Sequence, residues 1–173
     1  MPNHTSNCVD VSVKTGCSKE QLALAELKTM LAINSEEFDF NGIIPMPIEL
    51  NKGRRYSFDN CPSDYKNEGG CYVPKSRNVR DKWIKNFGFD NWYDWSNANW
   101  GTKWNSYDVD VDANFDDELT VQFFTAWSCP FPIFAKMKEY CQEHNLNLSW
   151  DVCFEGEDDV FDLMDEDMQE WGA

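Results

Sequence analysis

Hydrophobic residues recur at every second position in four segments of the chain, at about 6–14, 104–112, 118–126 and 148–154. This period of two is typical of a strand that buries one face. In the second segment Tyr107, Val109 and Val111 alternate with aspartates, so one face is predicted to be buried and the other to carry carboxylates. A short polar turn follows and leads into the third segment, which predicts a β-hairpin.

Two other segments repeat their hydrophobic residues at helical spacing. The first, at about 19–33, follows Ser18 and Gln21, which are spaced as a capping box. The second begins at Pro130 and Pro132, where a helix tolerates proline in its first turn. Both hydrophobic stripes predict helices that pack on a core.

The order of these elements is strand, helix, long insertion, strand, strand, helix, strand. It predicts an α+β fold of the ferredoxin-like, split βαβ type, with an antiparallel sheet and two helices on one face. The predicted domain covers 1–156, with a large aromatic-rich insertion at about 51–100 between the first helix and the second strand. An acidic C-terminal tail, 157–173, is expected to form a short amphipathic helix or a partly ordered arm.

The insertion differs from the rest of the chain in composition. Residues 51–85 contain nine of the 15 basic residues and only four acids, which predicts a loop-rich segment. Tyrosine and phenylalanine are interleaved with these bases, as in loops that bind phosphate, an acidic partner or single-stranded nucleic acid. Residues 83–100 are rich in tryptophan, which favours a helix pinned to the core over a ligand platform.

The charge of the chain is strongly negative and unevenly distributed. With 31 acids and 15 bases the formal charge is −16, which disfavours nucleic acid and anionic membranes as partners. Between Ser106 and Glu170 there are 18 acids, opposed only by Lys136 and Lys138. The sequence has no membrane-spanning apolar run and no visible signal peptide, so a cytoplasmic location is expected.

These acids define a candidate binding surface. A row of carboxylates on one strand face is usually a solvated face, but charge segregated this far also fits a surface that imitates DNA phosphates and docks on a basic protein. The predicted partner-binding residues are Asp108, Asp110, Asp112, Asp116, Asp117, Glu118, Glu157, Asp158, Asp159, Asp162, Asp165, Glu166 and Asp167.

The seven cysteines are irregularly spaced and odd in number, which favours free thiols in a reducing compartment over a disulfide framework. Cys61 and Cys71 are not spaced as a zinc knuckle, and the two histidines are far apart in sequence, so no metal and no cofactor are predicted. Cys129 precedes a predicted helix, where a thiolate would be stabilised, but its place is also explained by packing.

Three motifs carry a resemblance to a known family. They are the Phe-Asn-Gly-Ile-Ile-Pro-Met-Pro run at 40–47, the Asn-Trp-Gly-Thr-Lys-Trp-Asn-Ser-Tyr-Asp run at 99–108 and the Phe-Thr-Ala-Trp-Ser-Cys-Pro run at 124–130. With a strand opening after Met-Pro-Asn and a final strand at Trp150, the chain resembles the YubB-type ferredoxin-like domain family of phages and plasmids. The resemblance implies a cytoplasmic protein of a mobile element, with no established catalytic residue and no iron–sulfur cluster. The acidic tail departs from the family pattern.

The sequence therefore predicts a non-enzymatic phage or plasmid accessory protein. It is expected to bind and inhibit a host protein with a basic surface, such as a defence or nucleic-acid-handling enzyme, with no direct nucleic-acid or membrane contact. The alternative is a small-ligand binder or enzyme with a pocket at Trp100, Lys103, Trp104 and Trp127.

Overall fold

The computed structural model describes residues 3–33, 37–55, 57–113 and 115–154, and the backbone alone of 160–162. These residues form a mixed α+β structure with two compact units. One unit contains 1–44 and 100–173, and the other contains 45–99. No helix in the described part of the chain is long and apolar enough to cross a membrane.

The larger unit is built on an antiparallel sheet. In the described residues its strands are β1 (His4–Val13), β4 (Tyr107–Asp112), β5 (Glu118–Ala126), β6 (Leu146–Phe154) and β7 (Val160–Asp162). They lie in the order β4-β5-β1-β6-β7, with β1 paired to both β5 and β6. The alternation in the sequence thus predicts these four longer strands correctly. The tail prediction of a helix is wrong at 160–162, which form a strand beside β6.

One face of the sheet holds the core. Val9 lies opposite Val121 on one side and Trp150 on the other, and all three side chains are fully buried. Fully burying a large apolar side chain contributes roughly 1.5–3 kcal/mol, so this central row is a main source of stability. Phe38 stacks on Phe123 in the same layer, with ring centroids 4.6 Å apart.

The described residues of this unit also contain the α-helices α1 (Ser18–Met30) and α5 (Phe131–Glu143) and a short 3-10 helix at Phe40–Gly42. The ring of Phe134 in α5 meets Trp150 of the buried sheet face edge to face at 5.5 Å. Tyr140 of α5 donates its hydroxyl hydrogen to the carbonyl of Ala23 in α1 at 2.9 Å. The predicted stripes are buried at Leu24 and Leu27 of α1 and at Ile133 and Met137 of α5, but Met30 of the α1 stripe is 40 % exposed.

The predicted capping box of α1 is wrong. Ser18 is the first helical residue, and the N-cap position is held by Cys17, whose side chain makes no capping hydrogen bond. Glu20 instead turns back to the preceding loop, where its carboxylate accepts hydrogen bonds from the backbone N–H groups of Thr15 and Gly16 at 2.8 and 3.1 Å. These bonds hold the pKa of Glu20 at about 2.

The smaller unit has regular structure of its own, so the prediction of a loop-rich segment at 51–85 is wrong. Its elements are α2 (Ile48–Arg54), β2 (Tyr65–Glu68), β3 (Cys71–Pro74), α3 (Arg77–Phe87) and α4 (Trp92–Trp100). The strands β2 and β3 form a separate hairpin. Gly53 lets α2 approach β3, since a Cβ there would lie 2.4 Å from the carbonyl oxygen of Tyr72.

The tryptophans of the smaller unit support the structural interpretation of that stretch. Trp83, Trp92 and Trp95 are all buried. Tyr65 of β2 lies beside Trp83, with ring centroids 6.4 Å apart. Large aromatic side chains anchor short elements that have few other apolar residues.

Candidate protein-binding surface

The sheet of the larger unit has a second face, which is exposed or half-buried and which we call the open face. The strand register places on it His4, Ser6, Cys8, Asp10, Ser12, Tyr107, Asp110, Asp112, Glu118, Thr120, Gln122, Phe124, Asn147, Ser149, Asp151 and Cys153. The strand sequences contain no lysine or arginine at any described position. The open face therefore has acidic groups with no base in the strands to neutralise them.

The acids of the open face lie on several strands. Asp110 and Asp112 are exposed on β4, and register pairs place Asp10 and Asp151 on the same face. Their field acts on the thiol of Cys8: burial, then the charges of Asp10 and Asp151, raise its pKa. This thiol is therefore held in the protonated form, which does not suit it for nucleophilic chemistry.

One acid predicted for this row does not follow the alternation. A β-bulge shifts the register between Tyr107 and Asp110, and Asp108 has a φ of +49°. The bulge turns Tyr107 onto the open face opposite Phe124, although the sequence predicts a buried position for it. Asp108 itself is exposed, but at the irregular step of the strand.

The turn between β4 and β5 also carries predicted acids. Asp116, Asp117 and Glu118 are all exposed. Lys28 of α1 reaches this turn and donates from Nζ to the carbonyl of Phe115 at 2.8 Å. Burial lowers the pKa of Lys28, and the three carboxylates act in the opposite direction. Part of the negative charge at this turn is therefore balanced by a nearby cation.

Of the predicted acids in the tail, the structure describes the position of Asp162 alone. Asp162 belongs to β7, at a register position opposite Asp151. The other predicted tail residues lie outside the described residues; they are Glu157, Asp158, Asp159, Asp165, Glu166 and Asp167.

An aromatic cluster lies at one end of the open face, and the sequence-based list of site residues misses it. Tyr107 and Phe124 stack with centroids 6.3 Å apart, and the His4 ring meets both edge to face at 5.7 and 6.0 Å. The Tyr107 hydroxyl donates to the carbonyl of Thr125 at 3.2 Å and lies 2.7 Å from Nδ1 of His4. The exposure of Phe124 was predictable from the sequence, because one of two adjacent phenylalanines in a strand must face outwards.

Two residues of the predicted pocket, Lys103 and Trp104, lie beside this cluster, and a third, Trp127, directly follows β5 in the sequence. Trp104 contacts Tyr107 at 6.2 Å, and the Nζ of Lys103 lies 4.9 Å from the centre of the Trp104 ring. Trp127 is 57 % exposed and has a φ of +76°, a backbone conformation that is unusual for a bulky residue. These three are therefore accessible to a partner or ligand to different degrees.

Trp100, the fourth pocket residue, belongs to the core. Its side chain is 1 % exposed, its ring meets Phe40 at 5.8 Å, and its Nε1 donates to the carbonyl of Ile44 at 2.8 Å. A pocket at this motif would have to be formed by the other three residues.

Other residues of the motif at 99–108 also make internal hydrogen bonds. Thr102 donates to the carbonyl of Ala126 at 2.9 Å, and Ser106 donates to the carbonyl of Phe38 at 2.5 Å. Asn105 accepts from the backbone of Phe40 at 2.9 Å. The motif thus ties the segment near 38–44 to the sheet, which is a structural role.

Cys129 is not placed as a nucleophile, and the cysteines in the described part of the chain do not belong to a metal-binding cluster. The thiol of Cys129 is buried, and burial raises its pKa far above the usual range. All seven cysteines are free thiols, including Cys61 and Cys71. Among the residues that the structure describes, no three His, Cys, Asp or Glu side chains are arranged to hold a metal ion.

No protein-family model, curated protein or solved structure matches this chain.

Proposed function

We propose that this protein is a non-enzymatic binding protein whose open face docks on a basic surface of a partner protein. The observation that carries the proposal is the charge of the sheet, which presents Asp10, Asp110, Asp112 and Asp151 on one face without a lysine or arginine in its described strands. Protein interfaces are enriched in aromatic residues and have a polar rim. The cluster around Tyr107 and the neighbouring acids have that composition.

Electrostatics gives the proposal a quantitative consequence. A surface of one sign raises the association rate with an oppositely charged partner by roughly 10- to 1,000-fold at low salt. At physiological ionic strength the Debye length is about 8 Å, so this gain falls as salt rises. A partner held by the open face should therefore associate more slowly at high salt.

We also propose a more specific fold and biological role for the protein. The order of β4, β5, β1 and β6 across the sheet supports a ferredoxin-like, split βαβ fold, because β1 lies between β6 and the β4–β5 hairpin. Together with the resemblance to YubB-type domains, this supports a cytoplasmic accessory protein of a phage or plasmid. Its partner would be a host defence or nucleic-acid-handling enzyme, inhibited by a surface that imitates DNA.

The test is a pull-down from host lysate, with captured proteins identified by mass and their affinity then measured at low and high salt. The double variant Asp110→Lys with Asp112→Lys should weaken binding of the captured partner at least tenfold. The matched control, Glu26→Lys with Glu143→Lys, makes the same change in net charge at exposed positions of α1 and α5 and should bind nearly as the parent. Equal losses in the two variants would refute docking by the open face and leave only a net-charge effect.

The tail acids are tested separately. Reversal of Asp158, Asp159, Asp165 and Asp167 to lysine is expected to abolish partner binding while the sheet stays folded. Unchanged affinity would remove the tail from the proposed surface.

The alternative function is a small-ligand site at Lys103, Trp104 and Trp127, favoured by the exposure of Trp127 and its strained backbone. Under this alternative, Lys103→Ala should remove ligand binding, and salt should have little effect on it. Thermal-shift screening of a small-molecule library measures this directly.

A further inference from the structure

The smaller unit contains a cavity whose charge is opposite to that of the open face. Its volume is about 390 Å³, and its lining carries four cations and two anions. The lining residues are Lys66, Lys75, Arg77, Arg80, Asp81, Ile84 and Asp90. They come from β2, the short link between β3 and α3, α3 itself and the loop that follows α3.

Arg80 engages two acids near this cavity, Asp90 and Glu68, whereas no ion pair is formed by the third, Asp81, with a described residue. The Nε and Nη2 of Arg80 donate to the same carboxylate oxygen of Asp90 at 2.8 and 2.5 Å, and its Nη1 lies 2.8 Å from Glu68. Glu68 is also paired with Lys66. These ion pairs fix the wall of the cavity and reduce the negative charge that an incoming anion would meet.

Two other cations of the lining have capacity for a ligand. Lys75 donates one hydrogen to the carbonyl of Ser63 at 2.7 Å, and an ammonium group has three donors. The guanidinium group of Arg77 forms no hydrogen bond or ion pair with any residue that the structure describes. Both side chains are exposed, so an anion can reach them from solvent.

The start of α3 has an unusual arrangement of charge. Its first turn contains no acid, the side chain of the N-cap residue Ser76 makes no capping hydrogen bond, and Arg77 and Arg80 lie there instead. A helix start is the positive end of the helix dipole, so cations are unfavourable at this position and anions are favourable. An anion in the cavity would reverse this local repulsion and would meet the first backbone N–H groups of the helix.

We propose that this cavity binds a small phosphorylated molecule, with its phosphate held by Arg77 and Lys75 and its body against Ile84. Arginine presents a planar fork of donors that matches the oxygens of a phosphate. A cavity of about 390 Å³ exceeds the needs of a bare ion, and the exposed side chain of Ile84 supplies an apolar wall.

The net charge of the chain selects a small ligand over nucleic acid. A polyanion extends beyond one Debye length, about 8 Å, and would meet the field of a chain with a charge of −16. A phosphate monoester is confined to the cavity, where the local cations dominate. The proposal is independent of partner binding by the open face.

The test is a titration of the full chain with phenyl phosphate, followed by amide chemical shifts in nitrogen-15 spectra. Inorganic phosphate and benzoate are titrated in parallel to separate the phosphate from the apolar body. We expect saturable shifts at the start of α3 with phenyl phosphate, weaker binding of inorganic phosphate and the weakest binding of benzoate.

Variants locate the site. Arg77→Ala and Lys75→Ala should each weaken phenyl phosphate binding roughly tenfold or more, because each removes a charged donor of hydrogen bonds to the phosphate. The matched control, Lys82→Ala with Lys85→Ala, removes two exposed cations of α3 that do not line the cavity and should leave the affinity unchanged. Spectra of each variant report whether it is folded. Absence of saturable shifts in the parent chain, or equal loss in the control, would overturn the proposal.

Discussion

Asn7→Ala tests whether the buried amide in β1 specifies the core of the sheet. Asn7 is fully buried, and its Nδ2 donates to the carbonyl of Thr5 and to Oγ1 of Thr125, both at 3.0 Å. Its Oδ1 accepts from the indole Nε1 of Trp150 at 3.1 Å. The amide therefore joins three strands by side-chain hydrogen bonds.

The expected loss of stability depends on which hydrogen bonds the partners of Asn7 still make after the substitution. The Thr125 hydroxyl still donates to the carbonyl of Ser128 at 2.8 Å, whereas the buried indole N–H of Trp150 loses its acceptor. One orphaned buried donor costs about 1–3 kcal/mol, and loss of the remaining bonds adds about 1 kcal/mol. We expect a free energy of unfolding lower by about 2–4 kcal/mol for Asn7→Ala.

The assay is urea unfolding followed by circular dichroism and tryptophan fluorescence, with Asn147→Ala as the control. Asn147 is exposed on β6 of the same sheet, and its replacement should change stability by less than about 0.5 kcal/mol. In the Trp150→Phe background no indole donor is left unpaired, so Asn7→Ala should cost about 1–3 kcal/mol less there. Equal costs in both backgrounds would refute the hydrogen-bond explanation.

Two further predictions concern residues of the larger unit, Glu20 and Gly101. Glu20→Gln should reduce the pH dependence of stability: the folded pKa of about 2 lies below the usual 4.5, so the stabilisation is present above pH 4.5 and is lost as pH falls towards 2. Acid unfolding of this variant beside Glu26→Gln measures the effect, and matching pH profiles would contradict it. Gly101→Ala should cost about 2–4 kcal/mol by thermal unfolding, because φ is +78° and the new Cβ would lie 2.8 Å from Pro132. Gly16→Ala, at a φ of +72° with open space around it, should cost only about 1 kcal/mol, and a similar cost for both would refute the packing term.

The elements that the sequence predicts correctly are those whose pattern is set by burial. Val9 and Val11 in β1 and Val121 in β5 alternate because one face of each strand packs on the core, and that alternation is visible without any tertiary knowledge. The stripe of α5 that includes Ile133 and Met137 is predictable for the same reason. Local periodicity therefore fixes both the type of element and its buried face.

The features that the sequence misses depend on contacts between distant residues. His4 and Tyr107 are 103 positions apart, and only the register of β1, β5 and β4 brings their side chains together. The bulge at Asp108 turns Tyr107 to the open face, and aspartate is one of the few residues that tolerate its positive φ. Likewise, Glu20 rather than Ser18 bonds to the chain before α1, because Ser18 is already the first helical residue and the loop at Thr15 and Gly16 folds back towards Glu20.

Segregation of charge within one chain explains how the two proposed binding sites of opposite sign can coexist. The acids of the open face act together, because Asp110 and Asp112 are exposed and no base of the described strands lies between them. In the smaller unit Glu68 and Asp90 are instead paired with Arg80, which leaves more cations than unpaired acids around the cavity although the chain as a whole carries −16. Net charge then governs which large partners approach, whereas local ion pairing governs which small ions bind. An acidic protein of this kind can exclude nucleic acid and still bind a phosphate.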